Sequence, residues 1–137
     1  MSRRTFEHQA DLGVEITAPD GPSLFVEAGL AFFETVCDLE RVAERDVYEL
    51  AGDAASVEEL LVGWLNDLVF LFEAEAVVCR RMVFPEWSRT SYRAELHGER
   101  ADPERHRVHA VVKAATYHGL AVVQDEEGWR ARVILDV

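Results

Sequence analysis

Residues 56–75 read SVEELLVGWLNDLVFLFEAE, and their spacing is helical. Leu60, Leu61, Trp64, Leu65, Leu68, Leu71 and Phe72 recur three and four apart, which gives a wide apolar face. Ser56 and Glu59 have the S-x-x-E spacing of a capping box, in which a hydroxyl and a carboxylate satisfy helix-end donors reciprocally. Glu58 and Glu59 also suit the positive end of a helix dipole. The stretch therefore predicts a core helix with Trp64 packed inside rather than displayed.

On either side of it the period changes. Upstream, Leu12, Val14 and Ile16 alternate with Gly13, Glu15 and Thr17, the pattern of a half-buried strand over 12–18. A shorter strand is expected over 3–7, with HQAD (residues 8–11) as the connection. Pro19-Asp20-Gly21-Pro22 reads as a turn. Ser23 is expected to cap a second helix, along which Phe25, Ala28, Phe32 and Val36 repeat at helical spacing. Residues 45–51 alternate again around Val47 and Leu50 and close at Gly52-Asp53.

Downstream, residues 77–84 and 91–97 read as paired strands joined around Pro85-Glu86-Trp87-Ser88, followed by a polar loop over 98–106. Strands are expected over 108–117 and 120–124, broken near Gly119. Asp125-Glu126-Glu127-Gly128 is a hairpin turn into a last strand that runs to the end of the chain. Strands around two helices make an α+β domain, mostly antiparallel, and 137 residues suit one domain over 1–137 with a real core.

Composition narrows the function. The 26 acids against 14 Lys and Arg give a net charge of −12, and Lys113 is the only lysine. Such a surface repels a phosphate backbone, so no direct nucleic-acid binding is expected; metal cations or a basic protein partner fit better. No apolar run is long enough to span a membrane, and the start, MSRRTFEHQADLG, has no apolar stretch behind its arginines. A cytoplasmic protein without a signal peptide is expected. Cys37 and Cys79 form no C-x-x-C and read as free, buried thiols.

Several kinds of chemistry lack their motifs. GxGxxG and GxxxxGK phosphate loops are absent, and no serine lies in a nucleophile elbow. The five histidines do not have HExxH spacing. Carboxylates remain. Asp11 follows the first strand, and the chain closes WRARVILDV, with Asp136 just before the terminal carboxylate of Val137. If the first and last segments meet in one sheet, Asp11, Asp136 and that carboxylate converge. Three anions so placed repel unless a cation neutralises them, and an all-oxygen set prefers Ca²⁺ or Mg²⁺.

Taken together, HQADLGVEI (8–16), LLVGWLNDLVFLFEAE (60–75), DPERHRVHAVVKAATYHGLAV (102–122) and WRARVILDV (129–137) resemble the archease family, in the same order from about residue 5 to residue 137. The resemblance implies an α+β domain that is not itself a catalyst. It implies a protein cofactor of the GTP-dependent RNA ligase of tRNA splicing and RNA repair, which promotes guanylylation of the ligase's active-site histidine and its repeated turnover. It also implies a divalent-cation site, calcium with magnesium or manganese as alternatives, on Asp11, Asp136 and Val137. His106, Lys113 and His118 lie in the resembling motifs and are candidate partner contacts. Gln9 departs from the family's usual threonine. Two rivals remain: a metal-dependent phosphoesterase, which would turn over phosphoesters alone, and an RNA-ligase-associated chaperone, which as an RNA binder would show steep salt dependence.

Overall fold

The computed structural model describes residues 1–8 and 11–137. Among these residues the order of elements is β1 (Ser2–His8), β2 (Asp11–Ala18), α1 (Gly21–Val36), a 3-10 turn (Leu39–Arg41), β3 (Asp46–Asp53), α2 (Val57–Glu75), β4 (Val77–Trp87), β5 (Ser91–Arg100), β6 (Ala114–Asp125) and β7 (Gly128–Asp136). The strands form two antiparallel sheets, one ordered β1-β2-β7-β6 and the other β3-β5-β4. The expected α+β architecture of two helices and antiparallel strands is what the chain adopts.

Both helices touch both sheets. α1 packs on β1, β2 and β7 and also on β4; α2 packs on β6 and also on β3 and β4. The helices thus form the middle layer, and each sheet turns one face inward. Trp64 is fully buried there, as its place on the apolar face of α2 predicts. Its indole N–H donates to Phe25 O at 2.9 Å, and its ring meets Phe84 and Tyr92 edge-on, tying α2 to α1 and the second sheet. Burying an aromatic with its polar atom satisfied keeps the hydrophobic gain without a desolvation cost.

Local chemistry moves several boundaries. Asp20, not Ser23, caps α1: its carboxylate accepts the Ser23 N–H at 2.8 Å, and Pro22 sits in the first turn, where its missing N–H costs nothing. Half of the capping box on α2 forms as expected, with Glu59 N–H donating to Ser56 Oγ at 3.2 Å. The return bond from the Glu59 carboxylate goes instead to Ala55 N–H. β4 runs through Pro85 to Trp87 rather than turning there, because an irregularity between Val83 and Glu86 lets an edge strand accommodate proline. β5 extends to Arg100, and Gly98 sits so close to β4 that a Cβ would lie 2.0 Å from Val78 O.

The largest correction concerns residues 108–117. Residues 108–113 are not a strand; β6 begins only at Ala114 and then continues to Asp125 without ending near Gly119. Its register on β7 shifts between Thr116 and Ala121, and Gly119 takes φ +68°, so the glycine makes a bulge instead of a break. Cys37 and Cys79 are free and buried. No helix among the described residues is long and apolar enough to cross a membrane.

Candidate functional site

The alternation of β2 and β7 decides which side chains share a surface. Val14, Ile16 and Ala18 of β2 and Trp129, Ala131, Val133 and Leu135 of β7 are buried toward the helices. By the two-residue period, Asp11 and Glu15 of β2 and Arg130, Arg132 and Asp136 of β7 occupy the opposite face. Asp11 opens β2 and Asp136 ends β7, and the two are direct register partners. Opposed residues of an antiparallel pair have Cβ atoms roughly 4.5–5.5 Å apart on one face. The convergence expected of Asp11 and Asp136 is therefore a consequence of strand pairing.

Asp136 is flanked on its other side by the start of β6. Ala114 is its register partner there, and Lys113 N–H donates to Asp136 O at 2.7 Å. Continuing that register sets Lys113 opposite Val137, which is 40% exposed. Both aspartates are partly exposed and Lys113 is exposed. One end of the four-stranded sheet thus brings together Asp11, Asp136, the terminal residue and the backbone of the single lysine. His8 pairs with Asp11 in β1, while Gln9 of the HQAD segment lies outside the described residues.

The donor set suits a hard cation in kind. Two carboxylates that face each other across a strand pair repel, and a divalent ion relieves this. Among the described residues no group of three or more His, Cys, Asp and Glu side chains could hold a metal ion, so the aspartate pair and main-chain oxygens are what the described residues offer.

His106 and His118 lie elsewhere. His106 is fully buried beneath the loop that leads to Lys113. Its Nδ1 accepts Asp102 N–H at 2.8 Å, which leaves Nε2–H to donate to Glu99 Oε2, also at 2.8 Å. Enclosed in this way, it presents no side chain to a partner. His118 is exposed in the irregular part of β6, down the strand from the end that carries Asp136.

Residues that the sequence reading passed over organise this end. Glu99, only 3% exposed, receives a two-pronged contact from Arg105 at 2.9 Å on each oxygen, Ala43 N–H at 2.8 Å, and Arg45 at 3.3 Å. The Arg105 guanidinium, with the Ala43 amide and His106 adding to it, holds the carboxyl down at about 2 against the cost of burial. From this hub the loop runs on: His106 O accepts Asp38 N–H, His109 N–H donates to Val36 O, and Lys113 reaches Asp136. Asn66 of α2 was also passed over. A polar residue between Leu65 and Leu68 on an apolar helix face is the signal that could have marked it, since a half-buried amide needs partners.

Comparison with known proteins agrees with the motifs. The archease protein family model matches residues 4–137. The archease of Methanopyrus kandleri is 31% identical over 140 residues, covering all of both chains. That of Methanosarcina mazei is 32% identical, covering 96% of this chain and 92% of its own. Among solved structures, Methanobacterium thermoautotrophicum protein 1598 has a TM-score of 0.76 at 28% identity, with 98% of each chain covered. An archease described as a possible chaperone, from Thermotoga maritima, shares the fold with a TM-score of 0.65 at 18% identity, over 100% of this chain and 98% of its own. The chain belongs to the archease family.

Proposed function

We propose that this chain is a non-catalytic protein cofactor of a GTP-dependent RNA ligase, and that the Asp11–Asp136 end of the four-stranded sheet is the part that engages the ligase. The observation that carries the reading is the register pairing of those two aspartates at an exposed strand end of a chain in this family. An acidic tip on a protein of net charge −12 complements a basic, anion-binding cleft. Such complementarity speeds encounter and fixes orientation more than it adds affinity. Binding the guanylylation-competent conformation of the ligase better than the resting one shifts the population toward it, which is all an activator without its own chemistry has to do.

Asp11, Asp136 and the Val137 carboxylate would hold a divalent cation, calcium or else magnesium or manganese. When bound, that ion supplies charge neutralisation and a fixed Lewis-acidic point at the tip. Lys113 sets a positive charge at the rim, and the carboxylates orient the docking. His118, exposed farther along β6, is a second-rank contact. The cytoplasm is the proposed compartment, because the ligase and its GTP are there, and direct RNA binding forms no part of the reading.

The test is single-turnover guanylylation of the cognate ligase with labelled GTP, with and without this protein, and with Asp11→Ala and Asp136→Ala beside it. Acceleration by wild type and none by either variant supports the reading. Absence of acceleration by folded wild type rejects it. Phosphoester hydrolysis by the protein alone would point to the metal-dependent hydrolase instead.

A further inference from the structure

The side chain of Asn66 spends both of its polar ends on one residue. Its Oδ1 accepts Ala115 N–H at 2.8 Å, and its Nδ2 donates to Ala115 O at 3.3 Å. Ala115 lies in β6, an edge strand with β7 on one side only. The outer backbone groups of such a strand need partners from outside the sheet. Asn66 provides both for Ala115, from a helix that packs along this strand.

The position of that clamp gives it a consequence at the tip. Ala114, one residue before Ala115, is the register partner of Asp136, and Lys113, two residues before it, donates its N–H to Asp136 O. Upstream, residues 108–113 have no strand to belong to. Upstream of the tip, His109 N–H anchors the main chain on Val36 O, at 2.9 Å. Between that bond and the body of β6, Val112 is buried in the core, and Asn66 adds the side-chain hydrogen bonds that tie this stretch to the helical layer.

We propose that Asn66 is a positioning residue for the acidic tip: by clamping Ala115 it fixes the start of β6, and so sets Lys113 and Asp136 in the arrangement the partner engages. The inference rests on the reading of the tip given above. Asparagine is required at this place because it alone among small side chains offers one acceptor and one donor in a plane, matching a backbone N–H and C=O. Aspartate keeps the acceptor but sets a second acceptor against Ala115 O.

The experiment pairs amide hydrogen exchange with ligase guanylylation for wild type, Asn66→Ala, Asn66→Asp and a core control, Leu96→Val in β5. In Asn66→Ala, exchange at Ala115 and Lys113 should rise by about tenfold or more, while amides of β3 and β5 keep their wild-type protection. Stimulation of the ligase should fall by about tenfold at a fixed concentration, whereas the core control, destabilised elsewhere, still stimulates. Asn66→Asp should show the same local exchange and loss, and it serves if the alanine variant does not fold. Unchanged exchange at Lys113, acceleration of all amides together, or full stimulation by both variants overturns the proposal. A wild type that does not stimulate rejects the function proposed for the tip, and the exchange measurements alone then accept or reject the clamp.

Discussion

Asp11 and Asp136 are direct partners across β2 and β7, so the chain's eleventh residue and its penultimate one share one face at one sheet end. Like charges placed directly opposite in an antiparallel pair destabilise it. Sheet stability gains nothing from the arrangement. It is a local violation of good pairing that folding tolerates at an exposed edge of the core, and such violations gather where function requires them.

From this follows an opposition between stability and activity. Asp11→Asn and Asp136→Asn should leave the protein as stable as wild type in metal-free buffer, or more stable by up to ~1 kcal/mol, because repulsion is removed. Both should lose stimulation of the ligase. Thermal unfolding in chelator, set beside the guanylylation assay, checks it; a marked fall in melting temperature would make the pair structural.

The terminal carboxylate is a separate claim. Val137 follows β7 directly, so a short extension carries the carboxylate away without disturbing the pairing of Asp136. An added Gly-Ser-Gly should weaken cation binding, read by terbium luminescence, and reduce stimulation while circular dichroism stays unchanged. Wild-type luminescence and stimulation from the extended chain would remove the terminus from the site.

Acid should loosen the loop that leads to Lys113. Glu99 has its carboxyl lowered to about 2, first by Arg105, from an ordinary value near 4.5. A group whose folded value is depressed contributes stability that is complete above the unfolded value. That contribution is lost as pH falls toward the folded value. The melting temperature of wild type should therefore drop steadily between pH 4.5 and about 2, and Glu99→Gln should flatten that drop while lowering stability at neutral pH. Equal slopes in the two proteins would show that Glu99 is not the group responsible.

The cysteines give an inexpensive check on the core. Burial pushes the Cys37 thiol up to about 11 and the Cys79 thiol to about 12, and both are enclosed. Neither should react with an aromatic disulfide reagent at pH 8 in native protein, since the thiolate is the reactive form. Both should react at once in denaturant. Rapid labelling of one thiol in native protein would place it at the surface.

How much of this was legible in the residues depends on the range of the signal. Trp64 and the apolar face of α2 were legible because helical periodicity is local and burial follows it. Asp11 and Asp136 were legible as candidates from their places at strand ends, and the pairing of β2 with β7 brings them together. The start of β6 was not legible: Val108, Val111 and Val112 carry strand propensity, yet residues 108–113 are held as a connection by bonds from Val108 N–H to Pro103 O, His109 N–H to Val36 O and Lys113 N–H to Asp136 O, the last two with partners far away in sequence. The role of His106 was hidden for the same reason. A histidine in a polar loop reads as exposed until the buried glutamate beneath it is known.

Packing and hydrogen bonding in the core can be separated at Trp64. Trp64 is fully buried and its indole N–H ends on Phe25 O. Trp64→Ala removes the ring contacts with Phe84 and Tyr92 and opens a cavity between the helices and the second sheet, at a cost of about 3–5 kcal/mol. Trp64→Phe refills part of that volume but removes the indole bond to the Phe25 carbonyl, which keeps its place in the α1 backbone ladder, a loss of about 0.5–1.5 kcal/mol on top of the smaller void. Denaturant unfolding of both variants should rank them wild type, Phe, Ala, and the tip should still stimulate the ligase at temperatures where each is folded. A phenylalanine variant as stable as wild type would mean that the indole bond to Phe25 contributes nothing, and that shape alone holds α2 in the middle layer.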